Sequence, residues 1–266
     1  MFVLELECTD DNREILIAEL GERGCAGIVE TPSSLRSFFD DDLLIPQLVK
    51  DFSGHRPQTT TVVDEDWIGF ARAQTHPMEV GSRLFLAPEW RDDPTPDGRL
   101  RIGINPGLAF GTGSHETTRM CLEWVEENVT TGMTVCDIGT GSGILSEAAL
   151  LLGARRVVAC DIEGIAAAIA RKNIIRSGSA VLVYIGSVTA IAGGAADLLL
   201  ANISPDWISA LAREWRRVLS PNNGRGLLSG FDASDLPHVR GALQKADVKV
   251  LDTRSENAWR AIEIGS

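Results

Sequence analysis

The sequence has few of the features that mark membrane, secreted or metal-binding proteins. None of its apolar runs approaches the ~18 residues that a membrane span requires. Its amino terminus, MFVLELECTDD, turns acidic at once, unlike a secretory signal. Its five cysteines include no C-x-x-C pair and its four histidines are scattered, so neither a disulfide framework nor a metal site is predicted. We therefore expect a cytoplasmic protein with reduced cysteines and no metal.

The net charge of −12 is unevenly distributed along the 266 residues. Residues 1–75 hold 6 Lys and Arg against 15 Asp and Glu, a net of −9, which leaves −3 for the remainder. An acidic surface repels phosphate backbones and attracts basic partners. The asymmetry favours a basic protein partner over nucleic acid, with plain solubility as the alternative explanation.

Two folding units are predicted, a small one and a large one. The first ~60 residues follow a β-α-β-β-α-β pattern, which is typical of a ferredoxin-like module. We place this module at residues 1–58, a linker at 59–75 and a larger domain at 76–266. Near the start of that domain, residues 81–88 and 100–104 are predicted to form a hairpin joined by the turn-rich segment RDDPTPDGR.

From Gly132 onwards, short apolar strands alternate with helices. The two last strands follow one another without a helix between them. This order predicts an α/β fold with a parallel sheet that ends in an antiparallel pair. The predicted strands are 134–138, 157–161, 181–185, 197–202, 226–230, 248–252 and 258–264, and the predicted helices are 145–153, 164–177, 205–219 and 233–245.

A glycine loop follows the strand TVCDI, with Gly139, Gly141 and Gly143 placed after Asp137. A dinucleotide fingerprint would need its third glycine at position 144, where Ile144 stands, so nicotinamide binding is disfavoured. An acid at the strand end suits a ligand with a cationic sulfonium and an ammonium group, namely S-adenosylmethionine. Alternatively, the glycines only build a tight turn.

Two further polar residues end strands of the same sheet. Asp161 is placed to accept hydrogen bonds from ribose hydroxyls, or else it caps the next helix. Asn202 is placed to accept hydrogen bonds from a substrate amine, or else it too is a helix cap. Upstream, the glycine-rich segment at 104–119 leads into a helix, and its small residues and Thr118 can close over a cofactor. His115 in that segment has no acid or nucleophile at catalytic spacing and is interpreted as structural.

The runs PGLAFGTGSHETTRMCLEW, DIGTGSGIL, DLLLANI and LLSGF resemble the ribosomal protein L11 methyltransferase family (PrmA) over about residues 60–230. The resemblance implies a class I methyltransferase with a Rossmann-like sheet and a ferredoxin-like amino-terminal module that grips the substrate. It implies transfer of methyl groups from S-adenosylmethionine to amino groups of that large-subunit ribosomal protein. The family's cofactor contacts fall on Thr118, Gly139, Asp161 and Asn202, and the family usually has an apolar and a small residue where Ser204 and Pro205 follow Asn202 and Ile203.

The predicted site combines these residues. Asn202 is the catalytic candidate, and we expect a monomer that binds neither nucleic acid nor membrane. Three alternatives stay open: the same chemistry on another protein or small-molecule amine, a non-catalytic binding module, and a dehydrogenase. The predicted cofactor-binding residues are Phe110, Gly111, Thr112, Thr118, Asp137, Gly139, Gly141, Asp161 and Asn202.

Overall fold

A computed structural model describes residues 2–9, 12–25, 27–31, 33–39, 42–61, 76–104, 113, 115–174 and 180–266. The chain divides into two compact units, Met1–Gln74 and Thr75–Ser266. The part of the predicted linker from residue 62 on lies outside the described residues.

The first unit is a four-stranded sheet with two helices, α1 (Arg13–Glu22) and α2 (Ile45–Asp51). Its strands are β1 (Phe2–Glu7), β2 (Gly27–Glu30), β3 (Ser34–Phe39) and β4 (Gln58–Thr61). They pair antiparallel in the order β2-β3-β1-β4. This order and the β-α-β-β-α-β sequence confirm the predicted ferredoxin-like module.

The core of this unit follows from the alternation in β1. Phe2, Leu4 and Leu6 are fully buried because alternate residues of a strand point to the same face. Phe2 lies opposite Phe39 on β3, and their rings stack with centroids 5.3 Å apart.

The second unit begins with a three-stranded sheet of β5 (Met78–Val80), β6 (Leu84–Pro88) and β7 (Leu100–Ile104). The predicted hairpin between the last two strands is wrong, because β6 and β7 pair parallel. The connection is long enough to cross over, and two arginines hold it in place. Arg99 donates to the carbonyl oxygens of Gly81 and Leu84, and Arg101 to those of Arg91 and Asp93.

A seven-stranded sheet forms the body of the second unit, with five parallel strands and an antiparallel pair at one end, as predicted. Its strand order is β10-β9-β8-β11-β12-β14-β13. The strands are β8 (Thr134–Ile138), β9 (Arg156–Asp161), β10 (Ala180–Ile185), β11 (Leu198–Asn202), β12 (Arg225–Asp232), β13 (Lys249–Glu256) and β14 (Trp259–Gly265). The helices are α3 (Glu116–Asn128), α4 (Ile144–Leu151), α5 (Gly164–Ile174), α6 (Pro205–Ala210), α7 (Ala212–Val218) and α8 (Leu236–Lys245).

Helices cover both faces of this sheet. In β11, Leu198 and Leu200 belong to one buried cluster, and Leu199 and Ala201 to another. The first cluster contains residues of α3, α4 and α5, and the second contains residues of α6, α7 and α8. A strand buried on both sides needs apolar residues at every position, which explains the continuous run LLLA.

The predicted helix at 205–219 is divided in two at Leu211. The indole N–H of Trp215 donates to the carbonyl oxygen of Ile208 at 2.9 Å. A side chain therefore bonds to a backbone carbonyl at the point where the backbone hydrogen bonds of the helix are interrupted. Among the helices that the structure describes, none is both long and apolar enough to cross a membrane.

Candidate functional site

The glycine loop after β8 needs its glycines for two different reasons. Gly139, Gly141 and Gly143 have φ of 70°, 55° and 86°, a region that L side chains rarely adopt. A Cβ at Gly139 would overlap the Cγ2 methyl of Ile203, which follows β11. A Cβ at Gly143 would lie 2.9 Å from Cγ1 of Ile174 on α5. The first glycine therefore lets the loop approach the end of β11, and the third lets α4 pack against α5.

Asp137 lies beneath this loop. The residue is 1% exposed, and its Oδ2 accepts hydrogen bonds from the hydroxyls of Thr140 at 2.7 Å and Ser146 at 2.6 Å. Within the described ranges of the chain, its Oδ1 has no hydrogen-bond partner. Burial raises the pKa of Asp137, and these two hydroxyls act in the opposite direction. The side chain joins the glycine loop to the first turn of α4.

Asp161, at the end of β9, faces the loop from the neighbouring strand. Its Oδ2 accepts the backbone N–H of Gly141 at 3.0 Å, and its Oδ1 accepts that of Glu163 at 3.0 Å. Each carboxylate oxygen has a further lone pair for a hydroxyl donor. The bond to Glu163 lies at the start of the next helix, as the predicted alternative of a helix cap requires. The geometry therefore permits both helix capping and binding of ribose hydroxyls.

Asn202, at the end of β11, has one satisfied and one unsatisfied polar atom. Its Nδ2 lies 3.5 Å from Oγ1 of Thr118 on α3, at the outer limit of a hydrogen bond. Its Oδ1 is buried and has no hydrogen-bond partner among the residues that the structure describes. The residue before α6 is Ser204, so Asn202 is not the cap of that helix. A buried acceptor without a donor among these residues is placed to receive one from a ligand.

The ends of these strands open into one cavity of about 510 Å³. Its size and its mostly apolar wall with a few convergent polar groups are those of a cofactor or small-molecule site. Its position outside the carboxyl ends of parallel strands is where open α/β sheets bind ligands. The wall is formed by His115, Thr117, Thr118, Ile138, Gly139, Thr140, Gly141, Ile144, Leu145, Asp161, Ile162, Glu163, Ala166, Gly186, Ser187, Asn202, Ile203, Ser204, Trp207, Leu211, Gly230 and Trp259.

The cavity brings together five of the nine predicted cofactor residues, namely Thr118, Gly139, Gly141, Asp161 and Asn202. Asp137 lies under the loop instead of in the cavity wall. Three further predicted residues, Phe110, Gly111 and Thr112, lie outside the described part of the chain.

Several wall residues were not predicted from the sequence. Trp207 on α6 is 51% exposed, and Trp259 begins β14. Gly230 has φ of 101°, and a Cβ there would overlap the backbone of Ile203. The motif LLSGF contained a signal for Gly230, because a glycine near a strand end indicates close backbone approach. Nothing in the spacing of the two tryptophans indicated a shared cavity.

The sequence comparisons point to one family. The family model described as "Ribosomal protein L11 methyltransferase (PrmA)" matches residues 35–265. A protein of Symbiobacterium thermophilum named "Ribosomal protein L11 methyltransferase" is 41% identical over 201 residues, which are 76% of this chain and 66% of that protein. A protein of Pelotomaculum thermopropionicum with the same name is 41% identical over 206 residues, which are 77% of this chain and 67% of that protein. The matched segments therefore span about two thirds of these relatives.

A solved structure agrees with the sequence comparisons. The crystal structure of ribosomal protein L11 methylase from Lactobacillus delbrueckii subsp. bulgaricus superposes with a TM-score of 0.66 at 31% identity. The match covers 71% of this chain and 98% of that one.

Proposed function

The chain belongs to the ribosomal protein L11 methyltransferase family, and on that basis we propose that it transfers methyl groups from S-adenosylmethionine to amino groups of ribosomal protein L11. The amines are lysine side chains, the terminal amine, or both. The observation that carries the proposal is the buried Oδ1 of Asn202, which has no hydrogen-bond partner in the described part of the chain and lies in the wall of the cavity that the glycine loop and Asp161 also line.

The cavity residues fit the methyl donor. Gly139 and Gly141 place backbone, not side chains, against the space where the cofactor would lie. The carboxylate of Asp161 would hold the ribose hydroxyls, as a carboxylate accepts two such bonds. Thr118 would donate its hydroxyl to the cofactor's carboxylate, and Asp137 would support the loop from below. When bound, S-adenosylmethionine supplies an electrophilic methyl group on a sulfonium centre.

Asn202 positions the amine that receives the methyl group. Its Oδ1 accepts an N–H of the neutral amine, which fixes the direction of the nitrogen lone pair. Methyl transfer is an in-line displacement that depends on positioning more than on acid or base strength. A lysine ammonium, with a pKa of ~10.4, loses its proton to solvent before it is methylated.

The amino-terminal module, which extends past the predicted boundary at residue 58 because strand β4 continues to Thr61, is proposed to recognise the protein substrate. The net charge of −9 over residues 1–75 supports this role, because ribosomal proteins are basic and an acidic surface steers them into contact. The same charge opposes direct binding of nucleic acid. We infer a monomer that acts in the cytoplasm, where a ribosomal substrate is found.

Two experiments separate this proposal from its alternatives. Titration calorimetry with S-adenosylmethionine tests the cofactor site, and absence of binding would favour a non-catalytic module. Incubation of the full chain with methyl-labelled cofactor and a cell extract then identifies the substrate. Label on a single band that co-migrates with L11 supports the proposal, whereas label on another protein or on small molecules assigns the activity to a different acceptor.

A further inference from the structure

His115 stands at the junction of α3 and the cavity. It is the N-cap residue of α3, and its Nδ1 accepts the backbone N–H of Thr117 at 3.3 Å and lies 2.8 Å from the Thr117 hydroxyl. Its ring lines the cavity and meets the ring of Trp259 edge-on, with centroids 4.5 Å apart. No acid or nucleophile stands at catalytic spacing from it in the sequence, so a catalytic role was not predicted.

The capping bond determines which ring nitrogen holds the proton. A nitrogen that accepts an N–H bond has its lone pair free, so Nδ1 is unprotonated. In the neutral ring the proton must then be on Nε2. Protonation of the ring converts Nδ1 into a donor, which removes the acceptor for the Thr117 N–H.

Other contacts fasten the same helix turn to the end of the β13–β14 pair. Arg119 forms an ion pair with Glu256, and its Nε donates to Oε1 of Glu256 at 3.0 Å. Asn257 donates to Glu116 at 3.2 Å. The first turn of α3 is therefore held from two sides, by its own cap and by the strand pair.

This turn contains the residue that contacts Asn202. Thr117 and Thr118 are each 1% exposed, and Thr118 N–H donates to the carbonyl oxygen of His115 at 3.0 Å. Oγ1 of Thr118 in turn faces Nδ2 of Asn202. A shift of the turn would move the hydroxyl that orients the Asn202 carboxamide.

We propose that His115 is a positioning residue for methyl transfer, which in its neutral Nε2–H form fixes the first turn of α3 and, through Thr118, the direction of Asn202. The proposal rests on the proposed function, because it assigns Asn202 to the substrate amine.

Two substitutions distinguish the capping hydrogen bond of His115 from the packing of its ring. His115→Asn retains a side-chain acceptor for the cap but removes the ring, whereas His115→Phe retains a ring against Trp259 but removes the acceptor. We expect kcat for methylation of L11 to fall about fivefold or more in His115→Phe and to stay within about twofold in His115→Asn. KM for L11 should change little in either. His238→Asn, at an exposed position on α8, is the matched control. Equal losses of kcat in both variants, or a loss in His115→Asn alone, would overturn the proposal.

The tautomer itself can be observed without an assay of activity. Long-range ¹H–¹⁵N spectra of the histidine-labelled full chain contain four imidazoles, and His115→Asn identifies the relevant one. A neutral Nε2–H ring supports the capping role, and an Nδ1–H ring refutes it. This result is independent of which protein is methylated, so failure of the proposed function and failure of this inference are distinguishable.

Discussion

Replacing Gly139 with alanine adds one methyl group where the glycine loop meets Ile203. The backbone φ of 70° is in the left-handed region, where an L side chain costs about 1–2 kcal/mol. The new Cβ would also lie less than 3.0 Å from Cγ2 of Ile203, and such overpacking costs about 1–3 kcal/mol. The two costs together predict a loss of about 2–5 kcal/mol in the free energy of unfolding.

The same change should weaken cofactor binding, because relief of the overlap moves Ile203 and the adjoining Asn202. We expect the Kd for S-adenosylmethionine, measured by calorimetry, to rise about tenfold or more, which corresponds to about 1.4 kcal/mol. Gly98→Ala is the control, since Gly98 has φ of 77° but nothing within 4 Å of an added Cβ. It should lose stability in urea unfolding through backbone strain alone, with unchanged affinity. If Gly139→Ala matches Gly98→Ala in both measurements, the steric reasoning is wrong.

Three further outcomes are expected. Asn202→Ala should abolish methylation while the fold is kept, as judged by circular dichroism, and normal turnover would refute the role given to this side chain. Burial raises the pKa of Asp137, so ionisation opposes folding as the pH rises; the stability of Asp137→Asn relative to wild type should therefore increase from about pH 4 to 7 in urea unfolding. Burial raises the pKa of Cys121 and Cys136 to about 12 and that of Cys160 to about 11, so alkylation of these thiols near about pH 8 should be at least ~100-fold slower in the folded chain than in urea.

The main features of the site could be predicted because they depend on strand order. Residues at the carboxyl ends of parallel strands meet at one edge of the sheet. Gly139, Asp161 and Asn202 each follow or end such a strand, and the structure places all three in one cavity wall. The acid at position 137 suggested direct contact with a cofactor, but a side chain inside β8 is directed by the pleat into the interior.

Other features depend on contacts between distant segments and left no local pattern. The parallel pairing of β6 with β7 is accompanied by hydrogen bonds from Arg99 to a carbonyl oxygen of β6 and from Arg101 to one of the connecting segment. Trp259 reaches the cavity because β14 pairs with β12, which no spacing in the sequence reveals. The capping role of His115 could not be predicted, because its partner is the backbone N–H of Thr117 and a backbone group leaves no pattern in the sequence.

Methylation of amines on ribosomal protein L11 is the activity proposed for this chain. Mass spectrometry of purified L11 after incubation with the full chain and S-adenosylmethionine, beside a parallel reaction with Asn202→Ala, tests it. We expect a mass gain of whole methyl groups on amine-bearing peptides with the wild type, and none with the variant. An unchanged L11 mass, with a wild-type chain that calorimetry shows to bind the cofactor, would contradict it.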